Sequence, residues 1–504
     1  MRHNPNDLDE LVQAMNSEEL RACHGQLKRY PSKYGSTLTD LLHALREGAS
    51  AQRQQQLLAK RGHAGKLKHL RRTLAERVDL ALMVHYRHLT GAMRLQAMHQ
   101  KVEILFGKRL MRQAQLVVNA MLALARSLHD LEAERSTLKL QLTLMVDRGR
   151  EHLEAHLPAW RCRMEEITRQ MHAEDELRVI VKQLFALRRE KGTDLTDADR
   201  AWVQVLAAHP LLQAPPNTLG LHGQRQYHLA HMYYHKHMGQ MDRALEHHLQ
   251  MRALWDANPA LKHDRPDHYR WMLDDAFGIY FRTGRYAEAA AMQETMRQTL
   301  LWSHEQNVGY TVKLCINGML VHLNLANRQG MLHELQQTTA IISEHGAHME
   351  ASAHKTLCYN AAVCCFLLQH DRAALRWLAI LLHRHGGGVR KDLDAQAANL
   401  QLMLWSDRGE TEKLTERLAT MDVTGPGTNA ISLLLHSVLL QHVNGGKHRM
   451  STRHWQQVAH QLQAVPQGNT LIGYEEMNVW VQAHVQQLPR WQVFVQRTTQ
   501  AKAA

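Results

Sequence analysis

Proline is scarce in this chain, with 11 residues in 504, and glycine is moderate at 28. Pro breaks helices and Gly weakens them, so little here interrupts helix. Alternating runs rich in Val, Ile and Thr, the mark of strands, are rare as well. These shortages predict an all-α protein. No two of the six cysteines (Cys23, Cys162, Cys315, Cys358, Cys364 and Cys365) make a CxxC pair. A chain this long needs no disulfide staples, so we expect reduced thiols in a cytoplasmic protein. Long apolar runs are missing too. "TLCYNAAVCCFLLQH" and "AISLLLHSVLLQH" are too short to span a bilayer and suit buried helices. The opening residues, "MRHNPNDLDEL", lack the apolar core of a secretory signal, so no membrane role is expected.

Motifs of catalysis are absent. There is no HExxH, no GxSxG, no paired acid–base carboxylate motif and no Cys–His nucleophile arrangement. The Gly-rich "HRHGGGVRK" at 383–391 has neither the spacing nor the preceding strand of a phosphate loop. We expect no enzyme activity and no cofactor.

Acidic residues are missing from one stretch. Between Glu47 and Glu76 there is none, while Lys60, Arg61, Lys66, Lys68, Arg71 and Arg72 all fall there. They contribute to a formal net charge of +13. A field of this sign attracts phosphate, acidic protein or anionic lipid. These six residues are therefore candidate contacts for nucleic acid or an acidic partner, with a solvated helix face as the ordinary alternative. "QQLLAKRGHAGKLKHLRRTL" faintly resembles a helix-turn-helix at Ala59 and Gly62, although the Gly stands one residue early. No Phe, Tyr or Trp interleaves the basic residues, which argues against a stacking platform for single strands.

What is present is helical periodicity. Leu67, Leu70, Leu74, Val78 and Leu82 recur every three or four residues. Residues 93–132 read as two helices with a turn near Gly107, and breaks are expected near Gly149 and Pro158. Thr196, followed three residues later by Asp199, predicts an N-terminal cap. "QAPPNTLG" at 213–220 reads as a loop. Beyond it the chain repeats a layout of small and aromatic residues, a polar turn, and a second helix opening with Ala or Leu. Turn markers fall at Gly239, Gly284, Gly330, Gln369 and Gly409, spaced 45, 46, 39 and 40 residues apart. Such a period signals stacked helical hairpins.

Ala276, Tyr280, Gly284, Tyr286 and Ala289 follow the small–aromatic–turn–small pattern of a tetratricopeptide repeat, and residues 220–425 resemble that family. Leu229, Ala230, Tyr233 and Ala244 follow it with two extra residues before Gly239. Ala362, Ala374 and Leu375 follow it with Gln for the turn Gly. The period exceeds the family's 34 residues. The overall layout, a basic helical region and then degenerate repeats, is also similar to that of a class of bacterial proteins of about this length. The resemblance implies an α-solenoid and a scaffold or adaptor that binds a protein or peptide in a concave groove. The expected organisation is a basic helical region (1–160), tetratricopeptide-like hairpins (161–425) and a C-terminal helical cap (426–504). The alternative is a nucleic-acid- or ribonucleoprotein-associated factor that uses the basic helices. The oligomeric state is left open.

The stretch "QYHLAHMYYHKHMGQMDRALEHH" (226–248) is dense in histidine. Leu229, Ala230 and Tyr233 mark a packed stripe. His228, His231 and His235 fall within about a 60° arc on the other side. The repeat resemblance makes that side groove-facing, so Tyr227, His228, His231, Tyr234 and His235 are the expected partner contacts. Imidazoles spaced i, i+3 and i+7 can converge on zinc or nickel. Among 37 histidines, however, clusters arise by chance, and Asp242, the nearest candidate carboxylate to orient a ligand, lies beyond the turn. No metal is expected.

Overall fold

In a computed structural model the protein is all-helical. Its described residues are 5–29, 34–191, 195–299, 304–346, 349–384, 390–420, 429–444, 451–465 and 473–503, and they contain 26 α-helices and no strand. They fall into two compact units, Met1–Tyr269 and Arg270–Ala504. The histidine-dense hairpin belongs to the first unit.

The first unit opens with α1 (Pro5–Ala14), α2 (Ser17–Arg29), α3 (Gly35–Arg46), α4 (Ala51–Lys60) and α5 (Leu67–Tyr86). They close on a core that includes Val12, Leu27, Leu38, Leu42, Leu58, Leu70, Leu74 and Val78. The predicted stripe on α5 thus supplies three of its fully buried residues, as 3.6-residue periodicity requires. Next, α6 (Gly91–Gly107), α7 (Met111–Ser127), α8 (Leu131–Asp147) and α9 (Arg150–Lys191) run back and forth, each packed on the next. Left-handed residues make the turns: Arg109 (φ 57°), His129 (φ 54°) and Gly149 (φ 101°). The thiol of Cys162, on α9, is exposed.

The break expected near Pro158 does not occur. α9 continues through it for 42 residues. Pro158 and Glu154 both lie on the exposed side. Water can therefore hydrate the Glu154 carbonyl that loses its partner to the missing Pro N–H. Further on, Ile167, Leu177, Ile180 and Leu184 are buried and hold the helix to its neighbours.

α10 (Asp197–Ala207) starts with the predicted cap, in which Thr196 and Asp199 satisfy each other's backbone N–H groups. Then come α11 (Pro210–Gln213), α12 (Leu221–His237), α13 (Met241–Asp256), α14 (Pro259–Asp264) and α15 (Pro266–Arg282), the last of which runs across the boundary. α12 is the hub, packed on α9, α10, α11 and α13.

The second unit continues with α16 (Tyr286–Gln298), α17 (His304–Asn324), α18 (Arg328–His345), α19 (Ala351–Leu367), α20 (Asp371–Arg384) and α21 (Lys391–Arg408). It ends with α22 (Thr411–Thr420), α23 (Ala430–Asn444), α24 (Thr452–Gln463), α25 (Tyr474–Gln486) and α26 (Arg490–Ala503). α17 packs on α18 and α19, α19 on α20 and α21, α21 on α22 and α23, and α23 on α24 and α25. One core runs through them, including Met319, Leu357, Phe366, Leu378, Leu402, Leu439 and Trp480. Cys358, Cys364 and Cys365 lie inside it, and burial pushes the Cys365 thiol up to about 12.

Four of the five turn markers have left-handed backbone: Gly239 (φ 73°), Gly284 (φ 72°), Gln369 (φ 59°) and Gly409 (φ 68°). The fifth differs. Gly330 is the third residue of α18, its N–H bonded to the capping Asn327 side chain at 3.0 Å. The left-handed residue there is Ala326, φ 51°. Gly330 is small for another reason, since a Cβ would strike the His322 ring. Ala244, Ala289 and Ala374 are all fully buried. No helix among the described residues is long and apolar enough to cross a membrane.

Candidate functional site

The histidine cluster is built by one hairpin. Spacings of three and four put His228, His231 and His235 on one face of α12. The left-handed turn at Gly239 folds α13 back antiparallel, with the Gln240 N–H donating to the His235 carbonyl at 2.8 Å. Residues equally far from the turn then face each other, and His231 and His247 are each eight residues from Gly239. Their rings lie 4.7 Å apart and 8° from parallel. His235 and His247 lie 5.4 Å apart at 19°. One ring nitrogen from each of His231, His235 and His247 falls within 4.8 Å of the others.

Ring nitrogens of the cluster are held by neighbours. His231 Nε2 bonds the Leu212 carbonyl of α11 at 3.1 Å. His235 Nδ1 bonds Gln240 Oε1 at 2.8 Å. His228 Nδ1 and His247 Nδ1 are 3.1 Å apart, so one donates to the other. Just outside the cluster, His237 bonds the Leu184 carbonyl of α9 at 2.9 Å and ties the hairpin down.

Burial keeps these rings neutral. It pushes His228 down to about 4, helped by His231. It pushes His247 down to about 3, helped by His231, His228 and His235. His231 and His235 are lowered by burial too, partly offset by their bonds to Leu212 and Gln240. The charged form is disfavoured wherever imidazole leaves water.

The residues expected to face a groove are only partly accessible. His228 and His235 are buried, and Tyr227, His231 and Tyr234 are half-buried. The face is covered by α13. Histidine on both helices of the hairpin provides polar partners that water would otherwise supply. His247 was missed as a site residue, although the mirror relation about Gly239 was legible. The orienting role looked for in a carboxylate falls to a backbone carbonyl and a Gln side chain.

The six basic residues do not form one bare stripe. Arg61 pairs with Asp40 of α3. Arg71 pairs with Asp9 of α1 and bonds Gln54 at 2.8 Å. Arg72 pairs with Glu76 at 3.2 Å. Lys60, Lys66 and Lys68 are exposed, with the Lys66 ammonium 5.7 Å from the Tyr34 ring centre. Fold brings acids from outside the acid-free window onto its arginines.

Two clefts were not legible in the sequence. The first unit holds a polar cavity of about 580 Å³ lined by Glu174, Arg178, His222, Arg225, Asp264 and His268, among others. Burial there pushes His222 down to about 3 and Arg225 down to about 10. The Arg225 guanidinium lies 4.2 Å from the Trp255 ring centre. The second unit has an apolar cleft of about 440 Å³ between α18 and α20, with Leu332, Leu335, Ile342, Ala373, Trp377 and Ile380 in its walls. No family model, no curated protein and no solved structure matches the chain.

Proposed function

We propose that the protein is a non-catalytic, cytoplasmic helical-repeat scaffold that binds a protein or peptide partner. The observation that carries this reading is the order of packing in the second unit. Alternate helices α17, α19, α21, α23 and α25 follow one another, each with its own second helix at the side, and α26 also packs back on α19. That order supports a solenoid of degenerate tetratricopeptide-like hairpins, whose energy comes from nearest neighbours. A surface of this kind can lengthen by repetition and suits an extended or helical segment. The cleft between α18 and α20 offers such a segment apolar walls, and Ile380 is 36% exposed at its edge. The arginine pairings of the N-terminal helices lend little support to a nucleic-acid role, since Arg61, Arg71 and Arg72 already face carboxylates.

The test is affinity capture from the native cell with wild type and Ile380→Glu in parallel, each shown to melt alike. The expected result is a protein retained by wild type at high salt and depleted about tenfold by the variant, the equivalent of ~1.4 kcal/mol. Identical captures would remove the cleft from the reading. Binding that instead collapses steeply with salt would favour phosphate contacts, because counterions are released on association with nucleic acid.

A further inference from the structure

We propose that His231, His235 and His247 form a three-histidine site for a divalent transition-metal ion such as Zn²⁺, clamped between α12 and α13. The site is independent of partner binding and rests on geometry within the first unit. Three facts carry it.

The first is convergence. One nitrogen from each ring lies within 4.8 Å of the others. Ligands about 2.0–2.1 Å from a tetrahedral zinc ion stand about 3.4 Å from each other. Closing that gap asks for side-chain rotation and no rearrangement of the hairpin. The rings of His231 and His247 are nearly parallel. A metal ion sits in the plane of each imidazole it binds, so at least one of these rings turns about χ2 as the ion enters.

The second is orientation by neighbours. Ligating histidines characteristically donate their other ring N–H to a carbonyl or carboxylate, which fixes the tautomer and leaves the lone pair for the metal. Here the Leu212 carbonyl takes His231 Nε2–H, and Gln240 Oε1 takes His235 Nδ1–H. His228 Nδ1 accepts from His247 Nδ1–H when that nitrogen carries the proton. The lone pair of each ring is then His231 Nδ1, His235 Nε2 and His247 Nε2.

The third is ligand chemistry. An all-imidazole set suits Zn²⁺, Ni²⁺, Cu²⁺ or Co²⁺ and suits Ca²⁺ or Mg²⁺ poorly. Three protein ligands leave a fourth position for water. The ion is proposed as a clamp. It joins two antiparallel helices whose ligands are 16 residues apart, from His231 to His247.

The test uses the full-length, untagged protein stripped with chelator. Zn²⁺ is titrated against a chromogenic competitor, and Co²⁺ is added in parallel to read the visible band of a four-coordinate complex. One tight equivalent per chain is expected, with the band and a raised melting temperature. His247→Gln should weaken that equivalent at least ~100-fold and remove the band, while H152A/H156A should keep both. His152 and His156 form another i,i+4 pair, with ring centres 4.3 Å apart, outside the site, and control for adventitious binding. Zinc-edge X-ray absorption of the wild type counts imidazoles without relying on a variant that must fold. Absence of a tight equivalent, fewer than three imidazoles, or loss of binding in the H152A/H156A control would overturn the proposal.

Discussion

Lowering the pH from 7 to 5 in the presence of a chelator should destabilise the first unit by about 4 kcal/mol. Three imidazoles dominate. His222, His228 and His247 have folded values of about 3, about 4 and about 3. In the unfolded chain a histidine titrates near 6.5. The folded values are depressed, so the unfolded chain binds more protons below pH 6.5. Their stability contribution is therefore fully present above that pH and is lost as pH falls towards about 3 to 4. At pH 5 the loss is set by the 1.5 units below the unfolded value, about 2 kcal/mol per group at 1.36 kcal/mol per unit. It depends little on how far below 5 the folded value lies. None of the three is wholly withdrawn from water, so each counts for about two-thirds of that, because solvent screens it. A loss of this size is a large part of the roughly 5–15 kcal/mol that holds a domain together.

Urea unfolding followed by circular dichroism at pH 7, 6 and 5 measures it, and H228N/H247N should lose about a third as much between the same limits. Stability that is level from pH 7 to 5 would refute the reasoning. So would an equal fall in the double variant, which would move the cause elsewhere.

Two further outcomes concern the cores. Lys355 is fully buried, and its ammonium sits 2.7 Å from both carboxylate oxygens of Asp394, joining α19 to α21. Asp394→Ala removes the carboxylate from that buried charge and should cost about 3–5 kcal/mol, whereas K355M/D394L should recover most of it; thermal melts of both variants decide. Five of the six thiols are buried and Cys162 is exposed. Titration with a thiol reagent should therefore give one fast equivalent in native buffer and the other five only in denaturant, and a second fast equivalent would place another cysteine at the surface.

Much of the fold was legible because helices are local. The Thr196–Asp199 cap, the α5 stripe and the turns at Gly239, Gly284, Gln369 and Gly409 each depend on residues within a few positions of one another. Gly330 misled because glycine has two uses. It relieves a left-handed backbone, or it makes room for a neighbour, and only packing shows that His322 occupies the space. Pro158 misled for a related reason, since a proline on an exposed face costs the helix less than one facing a neighbour.

The sequence by itself determined the helices, most of their turns, and the common face of His228, His231 and His235, because backbone hydrogen bonding and a 3.6-residue period act along the chain. Only the tertiary structure decided what meets that face. His247 arrives by hairpin return, the Leu212 carbonyl from α11, and the partners of Arg61 and Arg71 from α3 and α1. Contacts of that kind depend on how helices pack, and short-range pattern carries no record of it.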